Sequence, residues 1–224
     1  MKLLWQQIPA PIITEIFCNS SFDGVVLDLE HGHFNNENLY SCIQVGTLLK
    51  KVILARISHL DKQVIRMALD AGISGIILST VETKAQAQEF YDYCTYPSAG
   101  GVRGQGLVRE NKWGEEQLLT RKPILIPQIE TTRGVKNIDK ISKIDFDYYL
   151  VGPYDLSASL GSLGDFNSED FKKALTKLKR SVGEKLGFHL PSKIKEQYDD
   201  YKNYNFLALG MDTIFLIESI KNIT

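Results

Sequence analysis

Eight short apolar runs follow one another along this chain, and seven of them are separated by segments of helical spacing. The runs are "KLLWQQI" (2–8), "DGVVLDL" (23–29), "KVILARI" (51–57), "SGIILS" (74–79), "PILIPQI" (123–129), "DFDYYLVG" (145–152), "KLGFHL" (185–190) and "FLALG" (206–210). Short, continuous apolar runs of this kind suit parallel strands buried on both faces. Helices are expected over about 11–20, 36–50, 61–72, 82–94, 133–143, 168–182 and 192–203, with "DTIFLIESI" as a last one. Eight alternations in a chain of this length favour a (β/α)8 barrel of the TIM type over a doubly wound sheet. A doubly wound sheet stays open as the alternative. Against it, no G-x-G-x-x-G follows an early strand, and "GGVRGQG" sits after a helix instead. The stretch 97–111 has no period and reads as a long loop. With no repeat, low-complexity segment or linker in view, residues 1–224 are expected to form one domain.

Composition narrows the function classes. The chain is 43 % hydrophobic and 24 % charged, an ordinary soluble balance, and its 224 residues can bury a core without staples. A net charge of −1 gives no reason to expect a nucleic acid or an anionic membrane as partner. No uncharged apolar stretch approaches the ~20 residues of a membrane helix. The first residues, interrupted by glutamines and prolines, do not read as a signal peptide. Cys18, Cys42 and Cys94 are odd in number and widely spaced, which argues against a disulfide framework or a thiolate zinc site. A reducing, cytoplasmic setting is expected.

A barrel does its chemistry at the carboxyl ends of its strands. Those ends carry Asp28, Glu30, His31, Arg56, Gln128, Glu130 and Asp155. Any one of them has a dull explanation, because strand ends meet solvent. Their joint placement points to a site. Glu130 and Asp155 lie 25 residues apart, one β-α-β step, so both are expected at the same edge of neighbouring strands. Parallel neighbours are about 4.8 Å apart, and two carboxylates there repel unless a cation or shared proton lies between them. With a nearby glutamine they would make a hard-oxygen site suited to Mg2+ or Mn2+. The bland alternative is that Asp155 caps a helix before "LSAS". His31 and His33 by themselves read as solvent-exposed loop residues.

Together, "DGVVLDLEHGHF", "ARI", "LDAGISGIILSTVET", "CTYP", "GGVRG", "PQIETTRGVKNIDKI" and "VGPYDLSASLG" resemble the HpcH/HpaI family of class II pyruvate aldolases. The likeness runs from about Trp5 to Asp212. It implies a metal-dependent (β/α)8 barrel, a carbon–carbon lyase that cleaves and forms 4-hydroxy-2-oxo acids with pyruvate as the nucleophilic half. By position it implies Glu130 and Asp155 as ligands of a divalent ion, Mg2+ or Mn2+, with Co2+ or Zn2+ as substitutes. Arg56 would face the 2-oxo oxygen, His31 would pair with Asp70 as the acid–base dyad, and Gln128 would line the substrate pocket. The main-chain N–H groups of Tyr154 and Asp155 would receive the pyruvate carboxylate. Trp5 and Asp28 match positions near the site, Asp28 reaching a neighbouring subunit. The implied partners are a small 2-oxo acid, an aldehyde and further copies of the chain, in a trimer or hexamer.

These roles are physically coherent. Retro-aldol cleavage removes a proton from a 4-hydroxyl and places negative charge on an enolate. A divalent ion polarises the carbonyl, arginine offers fixed donors where that charge appears, and histidine moves the proton. Three departures from the family pattern stand out. "YPSAGGVRG" replaces "YPPxGxRG", which suggests a loop over the site of different shape. Tyr154 stands where a small residue is common, and the chain reads as having a shortened C-terminal helix. A Schiff-base route is disfavoured, because Lys2, Lys51 and Lys185 fall at strand starts and strand six has no lysine. Two other readings remain: a barrel lyase or hydrolase acting on a CoA thioester, and a non-catalytic barrel.

Overall fold

The computed structural model describes residues 1–117 and 122–223. Strands β1 (Lys2–Gln6), β2 (Gly24–Asp28), β3 (Val52–Ile57), β4 (Gly75–Leu78), β5 (Ile124–Ile129), β6 (Tyr149–Val151), β7 (Leu186–Leu190) and β8 (Phe206–Leu209) are all parallel. They close in sequence order, β8 pairing β1 through Lys2–Leu207, Leu3–Ala208 and Leu4–Leu209. The doubly wound alternative is thereby excluded. Helices α1 (Pro11–Cys18), α2 (Asn36–Leu48), α3 (Lys62–Asp70), α4 (Lys84–Cys94) and α5 (Thr132–Ile141) cover the first five crossovers. A short α6 (Pro153–Ser159) precedes α7 (Glu169–Val182), and α8 (Ile194–Tyr201) and α9 (Asp212–Lys221) complete the ring.

Local chemistry sets the helix starts. Asn35, Asp61, Thr83, Thr131 and Ser168 each accept a first-turn N–H of the helix that follows, satisfying donors with no intrahelical partner. Strand alternation then divides the apolar residues into two cores. Leu3, Val26, Leu54, Ile77, Ile126, Leu150, Phe206 and Ala208 fill the barrel, with Trp5 above them. Val25, Leu27, Ile53, Ile76, Leu125 and Phe188 point outward beneath the helices. A filled interior confines any cleft to the ends of the strands. Among the described residues no helix is long and apolar enough to cross a membrane.

Two features depart from expectation. "GPYDLS" is helical: Pro153 opens α6 at its first position, and Gly152 precedes it. The stretch 97–111 joins α4 to β5, so it lies at the amino ends of the strands rather than over their carboxyl ends. It contains 3-10 turns at Pro97–Ala99 and, from Arg109, at Arg109–Gly114. An α-to-β connection in a barrel returns the chain to the strand starts, so this loop cannot cover its own chain's site.

Candidate active site

The residues that face the axis above the apolar interior are polar. Trp5, Asp28, Arg56, Gln128 and His189 continue the inward phase of Leu3, Val26, Leu54, Ile126 and Gly187. A cleft of about 360 Å³ opens over them, closed on one side by His31, Gly152, Tyr154 and Asp155 and on the other by Pro191, Ser192, Met211 and Ile214.

Asp28 organises the floor. Arg56 grips it with Nε to Oδ1 at 2.8 Å and Nη2 to Oδ2 at 2.7 Å, the bidentate geometry that suits guanidinium and carboxylate. Trp5 Nε1 and Gln7 Nε2 donate to Oδ2 at 3.1 and 3.2 Å, and the N–H groups of Glu30 and His31 donate to Oδ1. Burial pushes the Asp28 carboxyl up, but the hydrogen bonds and charge of Arg56, with Trp5 and Gln7, hold it below the usual carboxylate range. A fully buried side chain so engaged cannot reach a neighbouring subunit, so that expectation is corrected. Asp28 instead fixes Arg56 and the turn that presents His31. Arg56 also gives Nη1 to Glu30 Oε2 at 2.9 Å and stacks over the Trp5 ring at 4.8 Å.

Glu130 follows β5 and is 3 % exposed. Its Oε1 accepts both the N–H and the hydroxyl of Thr80 at 2.7 Å, while Oε2 accepts from Gln128 Nε2. Thr80 takes φ +51°, unusual for a β-branched residue, and that conformation goes with aiming both donors at one oxygen. Burial raises the Glu130 pKa despite those bonds, and the charges of Asp155 and Glu30 raise it further. No lysine or arginine pairs with it among the described residues. Gly152 sits against it: a Cβ there would lie 2.3 Å from Glu130 Oε2 and 2.7 Å from Gln128 Nε2. Asp155 is not on a strand end. It is exposed in the first turn of α6, where neither it nor any other side chain caps the helix. Tyr154 is 44 % exposed beside it, its ring edge-on to Phe166, and it walls the cleft without filling it.

A divalent ion suits this donor set. Glu130 accepts from Gln128, whose Oε1 is buried without a partner among the described residues, Asp155 lines the same cleft, and all three groups are hard oxygen donors. Among the described residues no group of three or more His, Cys, Asp or Glu forms a metal cage. An ion held here would draw its remaining ligands from water and substrate.

The expected His31–Asp70 dyad does not form within one chain. His31 is exposed at the cleft mouth. Asp70 ends α3, next to the start of β4, and accepts Arg103 Nη2 at 2.9 Å. Arg103 also pairs with Glu110, in a buried cluster that Tyr96 joins. The two residues are at opposite ends of the barrel. Lys2, Lys51 and Lys185 likewise lie at the strand starts, held by Tyr198, by the Ser20 and Phe22 carbonyls, and by Asp145. Sequence reasoning missed His189 and Thr80, and also Asp212, which accepts the N–H groups of Gln7 and Ile8 and so ties the loop after β1 to α9.

A closed parallel barrel with polar residues and a small cleft at the carboxyl ends of its strands is the arrangement of a (β/α)8 enzyme. Within that class, the family model described as HpcH/HpaI aldolase/citrate lyase matches residues 2–218, and the chain belongs to this family. The 2-keto-3-deoxy-L-rhamnonate aldolase of Klebsiella pneumoniae is 27 % identical over 97 % of this chain and 85 % of its own length. The hydroxypyruvate/pyruvate aldolase of Deinococcus radiodurans is 29 % identical, over 98 % and 83 %. Among solved structures, an HpcH/HpaI aldolase/citrate lyase family protein from Burkholderia cenocepacia superposes with a TM-score of 0.89 at 23 % identity, covering 100 % of this chain and 92 % of that one.

Proposed function

We propose that this chain reversibly cleaves a 4-hydroxy-2-oxo acid to pyruvate and an aldehyde, with Glu130 and Asp155 holding Mg2+ or Mn2+. The observation that carries this reading is Glu130: a buried carboxylate at the cleft, paired with no lysine or arginine among the described residues and with Asp155 and Glu30 opposing its ionisation. Bound there, a divalent ion supplies Lewis-acid polarisation of a 2-oxo group. The chain's own residues do the rest. The N–H groups of Tyr154 and Asp155, in the first turn of α6, lack intrahelical acceptors and receive the substrate carboxylate. Of the five donors of a guanidinium, three of Arg56 are taken by carboxylates, which fixes the fork and leaves the others for charge that develops on the 2-oxo oxygen. His31, at the mouth, exchanges the proton of the 4-hydroxyl. Trp5 and Gln128 wall the pocket.

The proposed dyad needs a second copy of the chain, because Asp70 of the same chain is at the far end of the barrel. An oligomer, trimer or hexamer, in which Asp70 of one copy reaches His31 of another is the assembly we favour. Free, buried Cys18, Cys42 and Cys94 support a reducing, cytoplasmic setting. A CoA-thioester substrate is disfavoured. Among the described residues Arg56 is the one lysine or arginine lining the cleft, and its ties to Asp28 and Glu30 offset the charge that a nucleotide phosphate would need.

Exchange of the pyruvate methyl protons in D2O tests the reading without any aldehyde. Exchange should require Mg2+ or Mn2+, stop with EDTA, and be absent in Glu130→Ala and Asp155→Ala, both of which should melt as cooperatively as the parent. Borohydride with pyruvate should leave no pyruvyl mass on any lysine. Full exchange in EDTA, or a borohydride-trapped adduct, would overturn the assignment.

A further inference from the structure

The proposed reaction uses the rim of the cleft built by β2, β3, β5 and β6. The facing rim comes from β7, β8 and β1, through His189, Pro191, Ser192, Met211 and Trp5. Its surface is largely apolar, and His189 is its single imidazole. His189 is 8 % exposed and stacked on Trp5, ring centroids 4.1 Å apart and planes within 18°.

The ring's hydrogen bonding fixes its tautomer. The Gly210 backbone faces the ring and favours its protonated form, the effect of a carbonyl on a ring N–H. Nε2 is buried with no partner among the described residues, which puts the ring N–H that Gly210 favours at Nδ1. Burial, and then the charge of Arg56, bring the ring's pKa down to about 3, so at neutral pH it carries one proton, on Nδ1. Nε2 is therefore a lone-pair acceptor and nothing else. Nothing among the described residues donates to it, and His189 lines the cleft, so a small turn of the ring toward the cleft would let a group admitted there supply the donor.

We propose that His189 is a specificity-determining residue for the aldehyde half of the substrate, its Nε2 accepting a hydrogen bond from a hydroxyl on the carbon next to the aldehyde group. The preferred acceptors are then α-hydroxyaldehydes, not their deoxy isosteres. The inference rests on the aldolase reading above and deepens it. The geometry supports this division of labour. The carboxylate and 2-oxo ends of pyruvate are accounted for by α6, Arg56 and Glu130, which leaves the β7–β8 side for the carbon that joins the methyl group. An apolar substituent against His189 would shut in an acceptor with nothing to pair it. A site that bonds a substrate hydroxyl discriminates against the analogue lacking it far more sharply than a purely apolar pocket does.

The experiment compares kcat/KM for condensing pyruvate with glycolaldehyde and with propanal, which exchange a hydroxyl for a methyl at nearly constant shape. The pair is run in the parent, in His189→Leu and in His189→Gln, which keeps an acceptor. The glycolaldehyde-to-propanal ratio should fall by about tenfold or more from the parent to His189→Leu. It should be retained in larger part by His189→Gln. Comparing the ratio between proteins removes the intrinsic reactivity of the two aldehydes. Pyruvate methyl exchange is measured on the same samples. Exchange retained with an unchanged ratio would overturn the role of His189 and leave the aldolase reading intact. Absence of exchange in the parent would take both down. Should His189→Leu fail to fold, His189→Phe, which keeps a ring against Trp5 and removes the acceptor, takes its place, and an unchanged ratio there would reject the proposal.

Discussion

Glu130 is a carboxylate that folding makes harder to ionise, and that fact has a stability consequence of known sign. Its pKa in the folded chain lies above the usual range of a glutamate carboxyl. The folded state therefore holds this proton more tightly than the unfolded state does. The associated stability is fully present below the unfolded pKa and is lost as pH rises through the folded one. Glu130→Gln should accordingly raise the Tm of the EDTA-treated protein at pH 8 by a few degrees, the scale of about 1 kcal/mol in a chain this size. The gain should shrink toward pH 4.5, and a thermal melt series in pH checks it. An equal gain at both ends of the series would mean that the substitution acts through shape and not through charge. Arg56 behaves differently. Arg56→Lys keeps a charge but loses the planar fork that spans both oxygens of Asp28. It should therefore lower kcat by roughly 10²–10³, the cost of one such donor, and also lower Tm, because Asp28 stays buried with a poorer partner. Loss of kcat with an unchanged Tm would show that the Asp28 pairing contributes little to stability.

Among the elements, the β6–α6 junction is where site and scaffold meet. Gly152 leaves room for Glu130 and Gln128, and Pro153 turns the chain directly into a helix whose first turn carries Asp155. Gly152→Ala should therefore weaken Mn2+ binding by at least about tenfold, readable by titration, while the far-UV CD spectrum stays that of the parent. Unchanged Mn2+ affinity would mean that Glu130 is not a ligand. This junction also shows where sequence reading succeeds and stops. All eight strands were legible, because each is a short apolar run between helical spacings, and the polar residues at their ends were legible with them. Helix α6 was not, since seven residues after a Gly-Pro step present less than two turns of any period. His189 was hidden for a related reason. One histidine in "KLGFHL" looks like core, and only its inward phase with Gly187 marks it as facing the cleft. Asp70 was assigned to the site by motif. Its place at the end of α3, not of a strand, already puts it at the other end of the barrel.

For the whole molecule, the separation of His31 from Asp70 becomes a test of assembly. His31→Ala and Asp70→Ala should each be nearly inactive alone. Refolded together from a denatured mixture, they should recover part of the parent's aldol cleavage, because some pairs of subunits then bring an intact His31 to an intact Asp70. No recovery, in an oligomer shown by mass to be mixed, would mean that the dyad does not form between copies. Exposed Val102, Leu107 and Trp113 lie on the loop after α4, at the same end of the barrel as Asp70, and offer apolar surface for such a contact.

The indole of Trp5 touches three groups at once: its N–H meets Asp28, Arg56 lies over its ring, and His189 stacks on it. The chain has two tryptophans, and the other, Trp113, is 66 % exposed on the far loop. With Trp113→Phe in place, all tryptophan emission would come from the floor of the cleft. The light from that one ring would then follow any ion or small molecule that shifts the guanidinium or the imidazole. The fold thus contains its own optical gauge, and occupancy could be followed in a cuvette without a single turnover.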